Sequence, residues 1–178
     1  MGRPKQLLPL KGKPLVRHTA ELLLRAPVRP LVVVLGSEAK RIQPALAGLD
    51  IQLALNPAWT EGMGSSLKTG VEAALEHSPQ LAALVIALAD QPGLPPRHVG
   101  QMIKRFLEGG CTAVASLTGR DRVPPLLFSR AWFPRLCAIK GDIGARALLR
   151  DQEADVAVVP LASNADLDTP EDYERYTS

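Results

Sequence analysis

The chain has 178 residues, a formal charge of +3 and 46% hydrophobic residues, which suits one globular domain with a real core. The small basic excess carries no basic run with aromatics beside it, so nucleic acid is not an expected partner. No apolar run approaches the roughly 18 residues of a membrane span, and no secretory apolar segment opens the chain, so neither membrane nor export is expected.

Aromatics make up only 4%, which predicts a core of Leu, Val, Ala and Ile. Cys111 and Cys137 are too few for a disulfide framework and lack zinc spacing. They read as small buried thiols in a reducing cytoplasm.

Short apolar runs alternate with amphipathic stretches. In chain order, Leu15, Leu22, Leu23 and Ala26 mark a helix, and Leu31 to Leu35 is a β-branched run closed by Gly36. Ile51 to Leu55 is a second strand candidate, and Leu67, Val71, Ala74 and Leu75 mark a helix capped by Ser65 or Ser66. Leu84 to Leu88 is a third strand, and Val99, Ile103, Phe106 and Leu107 give a further helix. Ala113 to Ser116 and Val156 to Val159 read as strands, and Pro170 to Tyr176 as a last helix with Thr169 as cap. Continuous apolar runs predict strands buried on both faces, and the alternation predicts right-handed βαβ crossovers. The expected class is α/β, one three-layer domain over 1–178 on a mostly parallel sheet.

Five segments carry candidate chemistry. Met1 to Leu10 (MGRPKQLLPL) places Lys5 on a loop near Gly2, where its ammonium could meet a phosphate, although a solvated N-terminal lysine has the same sequence. Asn56 to Leu67 (NPAWTEGMGSSL) leaves a strand and opens a helix. Gly62 and Gly64 would let backbone approach a ligand, and Ser65 and Ser66 would set hydroxyls near helix N–H groups. In ALADQP, Asp90 leaves the carboxyl end of an apolar strand, the edge where open α/β sheets bind ligands, and its carboxylate suits a hard cation such as Mg²⁺. In DLDTPED, Asp166 and Asp168 are two apart and on one side of an extended segment, close enough to share a cation, while Asp172 falls in the first turn of a helix. In KGDIGARALL, Gly141, Asp142 and Gly144 make a loop from which Arg146 could reach an anion, or Asp142 caps a helix over Ala145 to Leu149. His18, His77 and His98 read as surface or helix residues rather than parts of a catalytic set.

The order of these segments resembles the molybdenum-cofactor nucleotidyltransferase family, a MobA-like NTP transferase group, and its cytidylyltransferase branch in particular. The run is MGRPKQLLPL with GKPLVRH, NPAWTEGMGSSLKTG, LADQP, PPLLFSRAWFPRL, GDIGARALL and DLDTPEDY, over essentially the whole chain. The resemblance implies a Rossmann-like nucleotide-diphospho-sugar transferase fold. It also implies Mg²⁺-dependent transfer of a nucleotidyl group from an NTP, CTP over GTP, to molybdopterin with release of pyrophosphate. Lys5 would then close the phosphate loop with Gly2, and Asp90 would bind magnesium with Asp166 or Asp168. The GMGSSL segment would lie near base and ribose, and Pro124 to Phe128 with GDIGAR would face the acceptor. A molybdenum hydroxylase is a possible recipient.

Two departures stand beside the match. The family's first strand and most of its glycine-rich loop have no counterpart before Met1, so about 15–25 residues are expected to precede it. Arg122 stands where the family often has glycine. The alternatives are a sugar-phosphate nucleotidyltransferase and a cofactor-binding or chaperone module without turnover.

Overall fold

The computed structural model describes residues 4–150, 155–162 and 170–177. Gly2, Asp166, Asp168 and the cap candidate Thr169 lie outside the described residues. A short turn over Lys5–Leu7 leads into a hairpin that the hydrophobic pattern did not announce, β1 (Pro9–Leu10) and β2 (Lys13–Pro14). Lys11 and Gly12 turn it, both with positive φ, a conformation glycine adopts without steric cost. Helix α1 (Leu15–Leu23) follows, burying Leu15, Val16, Thr19 and Ala20, one stripe at helical spacing. Next come β3 (Val32–Leu35), α2 (Ala39–Ile42) and β4 (Gln52–Leu55), then α3 (Met63–His77) and β5 (Ala83–Ile86). The second half holds α4 (Pro96–Leu107), β6 (Ala113–Thr118), β7 (Asp121–Ser129), α5 (Phe133–Cys137), β8 (Val156–Pro160) and α6 (Pro170–Thr177).

The expected strands and helices are present within a few residues. Helix α3 begins earlier than its serines suggest. Its N-cap is Gly62, without a side-chain cap, because the φ of 100° at Gly62 turns the chain into the helix and the serine hydroxyls bond elsewhere. The segment Ala145–Leu149 is a 3₁₀ turn entered from Gly144, so Asp142 is not its cap.

The sheet is mixed. β3 and β4 pair in parallel, and a four-stranded sheet has the order β5–β7–β6–β8. β7 is antiparallel to β5 and β6, while β6 and β8 are parallel. Three of those four strands therefore share a direction and β7 alone is reversed. β3–α2–β4–α3–β5 alternates strand and helix, and each helix returns the chain to its starting edge, so β5 runs as β3 and β4 do. Among the described residues no strand joins β3 to β5.

Two helices cover both parts. On one face Val16 and Ala20 of α1 pack with Val33 and Leu35, and Leu22 and Leu23 of the same helix cluster with Val85. On the other face Leu67, Val71 and Leu75 of α3 pack with Leu84 and Ile86, while Gly70 of α3 sits against Val34. The largest cluster departs from the aliphatic expectation. Phe128, Trp132 and Phe133, three of the seven aromatics, sit at its centre with Phe128 fully buried, because the few large rings fill the space between α3, α5 and β7. None of the described helices is long and apolar enough to cross a membrane.

Candidate active site

The candidate site residues follow the carboxyl ends of β4 and β5, and the local chain explains why side chains gather there. Beyond β5 the chain passes Ala87 and Leu88 into a turn at Ala89 and Asp90, where the Thr19 hydroxyl of α1 donates to the Ala89 carbonyl at 2.8 Å. Thr19 is buried, so this bond fixes the height of the loop against α1. Asp90 comes next. Its Oδ2 accepts from Lys5 Nζ at 2.6 Å, joining residues 85 positions apart. Its Oδ1 is buried and has no hydrogen-bond partner among the described residues. A carboxylate oxygen withdrawn from water and left without a donor is costly. A hard cation bound there would satisfy it, so the donor chemistry fits a divalent metal. The neighbour Gln91 is also buried, at 1% exposure, without any local signal for it in the sequence.

A second group forms around the start of α3. Asn56 leaves β4 and is buried. Its Oδ1 accepts from the Ala58 backbone N–H at 3.0 Å, and its Nδ2 donates to Ser65 Oγ at 2.8 Å and Ser66 Oγ at 3.0 Å. Ser65 Oγ in turn donates to the Gly62 carbonyl at 2.8 Å. Asn56 thus organises both serines, a role missed in the sequence. The available signal was an asparagine before proline at a strand end, a residue type that bonds the backbone two positions on.

Gly62 and Gly64 make their close approach to the protein's own backbone. A Cβ at Gly62 would overlap the Gly141 carbonyl, and one at Gly64 would overlap that of Ile139. The Gly64 N–H donates to Gly141 O at 2.9 Å. The absent side chains therefore bring the α3 start against the 139–142 loop, joining two segments 77 positions apart (141 − 64). Asp142 and Arg146 are exposed at the rim of that loop. Arg122, the departure from glycine, donates from Nη1 to the Leu149 carbonyl at 2.7 Å and so ties β7 to the turn that carries Arg146.

Of the two readings of His98, surface or helix, the structure gives the helix. It lies on α4 but is 2% exposed, its Nε2 2.8 Å from Ser116 Oγ. Ser116 Oγ also donates to the Pro125 carbonyl at 2.8 Å, where the β6–β7 register shifts between Ala115 and Ser116. Burial holds the His98 pKa below its ordinary value. The imidazole is a structural clamp under the bulge.

Lys5 with Asp90 beyond β5, and Asn56, Gly62, Gly64, Ser65 and Ser66 with Gly141 beyond β4, thus form two groups. A model of the MobA-like NTP transferase domain matches residues 1–156. The chain belongs to this family. It is 33% identical to the nicotine blue oxidoreductase of Paenarthrobacter nicotinovorans over 98% of this chain and 89% of the relative. It is 30% identical to the molybdenum cofactor guanylyltransferase of Rhodobacter capsulatus over 98% of this chain and 87% of the relative. A solved nucleotidyl transferase from Methanothermobacter thermautotroptrophicus superposes with a TM-score of 0.80 at 25% identity, covering 97% of this chain and 83% of that one. The MobA-like domain makes this chain a nucleotidyltransferase with the Rossmann-like nucleotide-diphospho-sugar transferase fold.

Proposed function

We propose that the chain transfers the nucleotidyl group of CTP, in preference to GTP, to a molybdopterin-type phosphate acceptor and releases pyrophosphate. The observation that carries the metal half of this reading is the Asp90 carboxylate, one oxygen on Lys5 and the other buried without a donor. Asp90 would hold Mg²⁺, with Asp166 and Asp168 as further ligands. The bound cation would offset charge on the triphosphate. Lys5 and Gly2 would bind the β- and γ-phosphates, and the Lys5 ammonium would follow the charge onto the leaving pyrophosphate. The acceptor phosphate already carries its nucleophile, so the protein's work is in-line positioning and electrostatics rather than covalent catalysis.

Gly62, Gly64, Ser65 and Ser66 would take the base and ribose. Gly141, Asp142 and Arg146 would take the acceptor, Arg146 pairing with its phosphate. The cytidine preference rests on the order of motifs from NPAWTEGMGSSL to GDIGAR. The molybdopterin acceptor is supported also by similarity to a molybdenum cofactor guanylyltransferase. Within this reading the 178 residues act as one cytoplasmic domain that passes its product to a molybdenum hydroxylase.

The test is pyrophosphate release with CTP or GTP and a panel of acceptors. Turnover with molybdopterin and CTP is expected, and release with a sugar 1-phosphate alone would overturn the acceptor. In the same assay Asp90→Asn should lower turnover at least about a hundredfold at saturating Mg²⁺, the scale of losing a key electrostatic group. Near-normal rates in that variant would remove Asp90 from the metal site.

A further inference from the structure

Lys5 and Asp90 meet at 2.6 Å, yet among the described residues no strand pairing joins the segments that carry them. Lys5 belongs to the turn before the β1–β2 hairpin. The Leu8 N–H donates to the Lys5 carbonyl at 3.1 Å, and the Leu15 N–H donates to the Leu8 carbonyl at 2.9 Å, so the lysine moves with the hairpin and the start of α1. A hairpin of two two-residue strands is too short to hold its own place. Its anchors are Leu10 and Leu15, both at 1% exposure, and the partly buried side chains packed on them are Tyr173 and Tyr176 of α6.

Those two are the chain's only tyrosines. In α6, PEDYERYT, they stand three apart, which puts both rings on one face, and they are the only large apolar surfaces the helix carries. A helix of eight residues is not stable by itself in water, so α6 keeps its place through these rings. The Tyr173 hydroxyl donates to the Pro9 carbonyl of β1. Tyr176 reaches the other segment. A Cβ on Gly93 would lie 3.5 Å from Tyr176 Oη and 3.6 Å from Cε2, so the ring rests on the backbone three positions beyond Asp90 (93 − 90). The tyrosine pair thus touches both the hairpin that follows Lys5 and the loop that follows Asp90.

We propose that Tyr173 and Tyr176 are positioning residues, and that α6 docks through them as a brace that sets Lys5 against Asp90. The importance of the brace for turnover rests on the reading of Lys5 and Asp90 as the phosphate and metal groups. Neither tyrosine acts on a substrate atom. Tyr176 contributes more because its ring contacts both segments, whereas the Tyr173 hydroxyl fixes the hairpin alone. Asp166 and Asp168 stand just ahead of Pro170 in the sequence, so under that reading the same brace limits how far they range.

Lysine acetylation of the full chain, followed residue by residue in peptide mass spectra, tests the brace without metal or nucleotide. Tyr176→Ala should raise the labelling rate of Lys5 at least about fivefold relative to exposed Lys40 and Lys104, because the ion pair opens more often once the hairpin loses its packing. Gly93→Leu drives the ring off from the opposite side and should do the same. Tyr173→Phe loses one hydroxyl and should give a smaller rise, about twofold, while Tyr176→Phe keeps the ring and should stay close to the parent. In pyrophosphate release, kcat should fall at least about tenfold in Tyr176→Ala and recover in Tyr176→Phe. Unchanged Lys5 labelling in folded Tyr176→Ala or Gly93→Leu overturns the proposal. So does a rise shared equally by Lys40 and Lys104, which marks general loosening, and so does a Tyr176→Phe chain that labels like Tyr176→Ala. Normal kcat in Tyr176→Ala, with Asp90→Asn inactive, also overturns it. The metal reading fails separately, if Asp90→Asn keeps near-normal turnover while Tyr176→Ala still exposes Lys5.

Discussion

The β5–β7–β6–β8 sheet and the β3–β4 pair are made of much the same residues and reach opposite states of burial. Ala113, Val114 and Ala115 of β6 are at 0% exposure, with a strand on either side and helices on the faces. In the other part Val32, Val33 and Val34 stay half-buried, and Leu55 of β4 is 61% exposed. Apolar composition gives a strand the capacity to be buried. Its neighbours decide whether it is.

The largest contrast should come from the closed sheet. Phe128→Ala removes a fully buried ring 5.5 Å from Trp132 and should cost about 3–5 kcal/mol in urea unfolding. A cost below about 1 kcal/mol would show that the closed sheet is not the stable part. His98→Ala comes next, at about 1–3 kcal/mol, because it leaves a void and removes a partner of Ser116 beneath the bulge.

The same histidine gives a pH signature. Its folded pKa lies below the ordinary 6.5, so the unfolded chain takes up the proton first. The stability from neutral His98 is complete above pH 6.5 and declines as pH falls from 6.5 toward the folded pKa. Unfolding midpoints from pH 8 to pH 5 should show this fall in the parent and lose part of it in His98→Gln. Parallel curves would remove His98 as its source.

The interrupted part should respond less. Val34→Ala trims a half-buried side chain resting on Gly70 and should cost about 1 kcal/mol. Leu55→Ser changes an exposed side chain and should stay within about 0.5 kcal/mol. Measured with the first two variants, this series gives the stability gradient across the molecule. A Val34→Ala cost as large as that of Phe128→Ala would erase it.

The elements legible in the sequence were those whose signal is local. LVVVL closed by glycine gave β3, and leucine spacing gave α1, α3 and α4. β7 carries no clear strand signal, since Pro124-Pro125 argues against one, proline being unable to donate to a ladder. The structure tolerates the pair where the β6–β7 register shifts, and Ser116 bonds the Pro125 carbonyl there. The candidate site divides in the same way. Asp90 was legible from its place at the end of an apolar run, whereas its contact with Lys5 depends on how β5 and the N-terminal turn meet in space. The burial of Asn56 and His98 has no local signal because burial is a tertiary property. An asparagine before a turn and a histidine in a helix have the same sequence whether solvent or protein surrounds them.

The contact of Gly62 and Gly64 with the 139–142 backbone has a consequence for motion. With no side chain between them, and with the Gly64 N–H held by Gly141 O, the first turn of α3 and the loop before Arg146 share one mechanical coordinate. Neither can swing outward alone without breaking that bond and opening a void. A ligand that presses on Ser65 and Ser66 therefore pushes on the segment carrying Asp142 and Arg146. Under the proposed function, the loops assigned to the nucleotide and to the acceptor would then open and close as a single jaw.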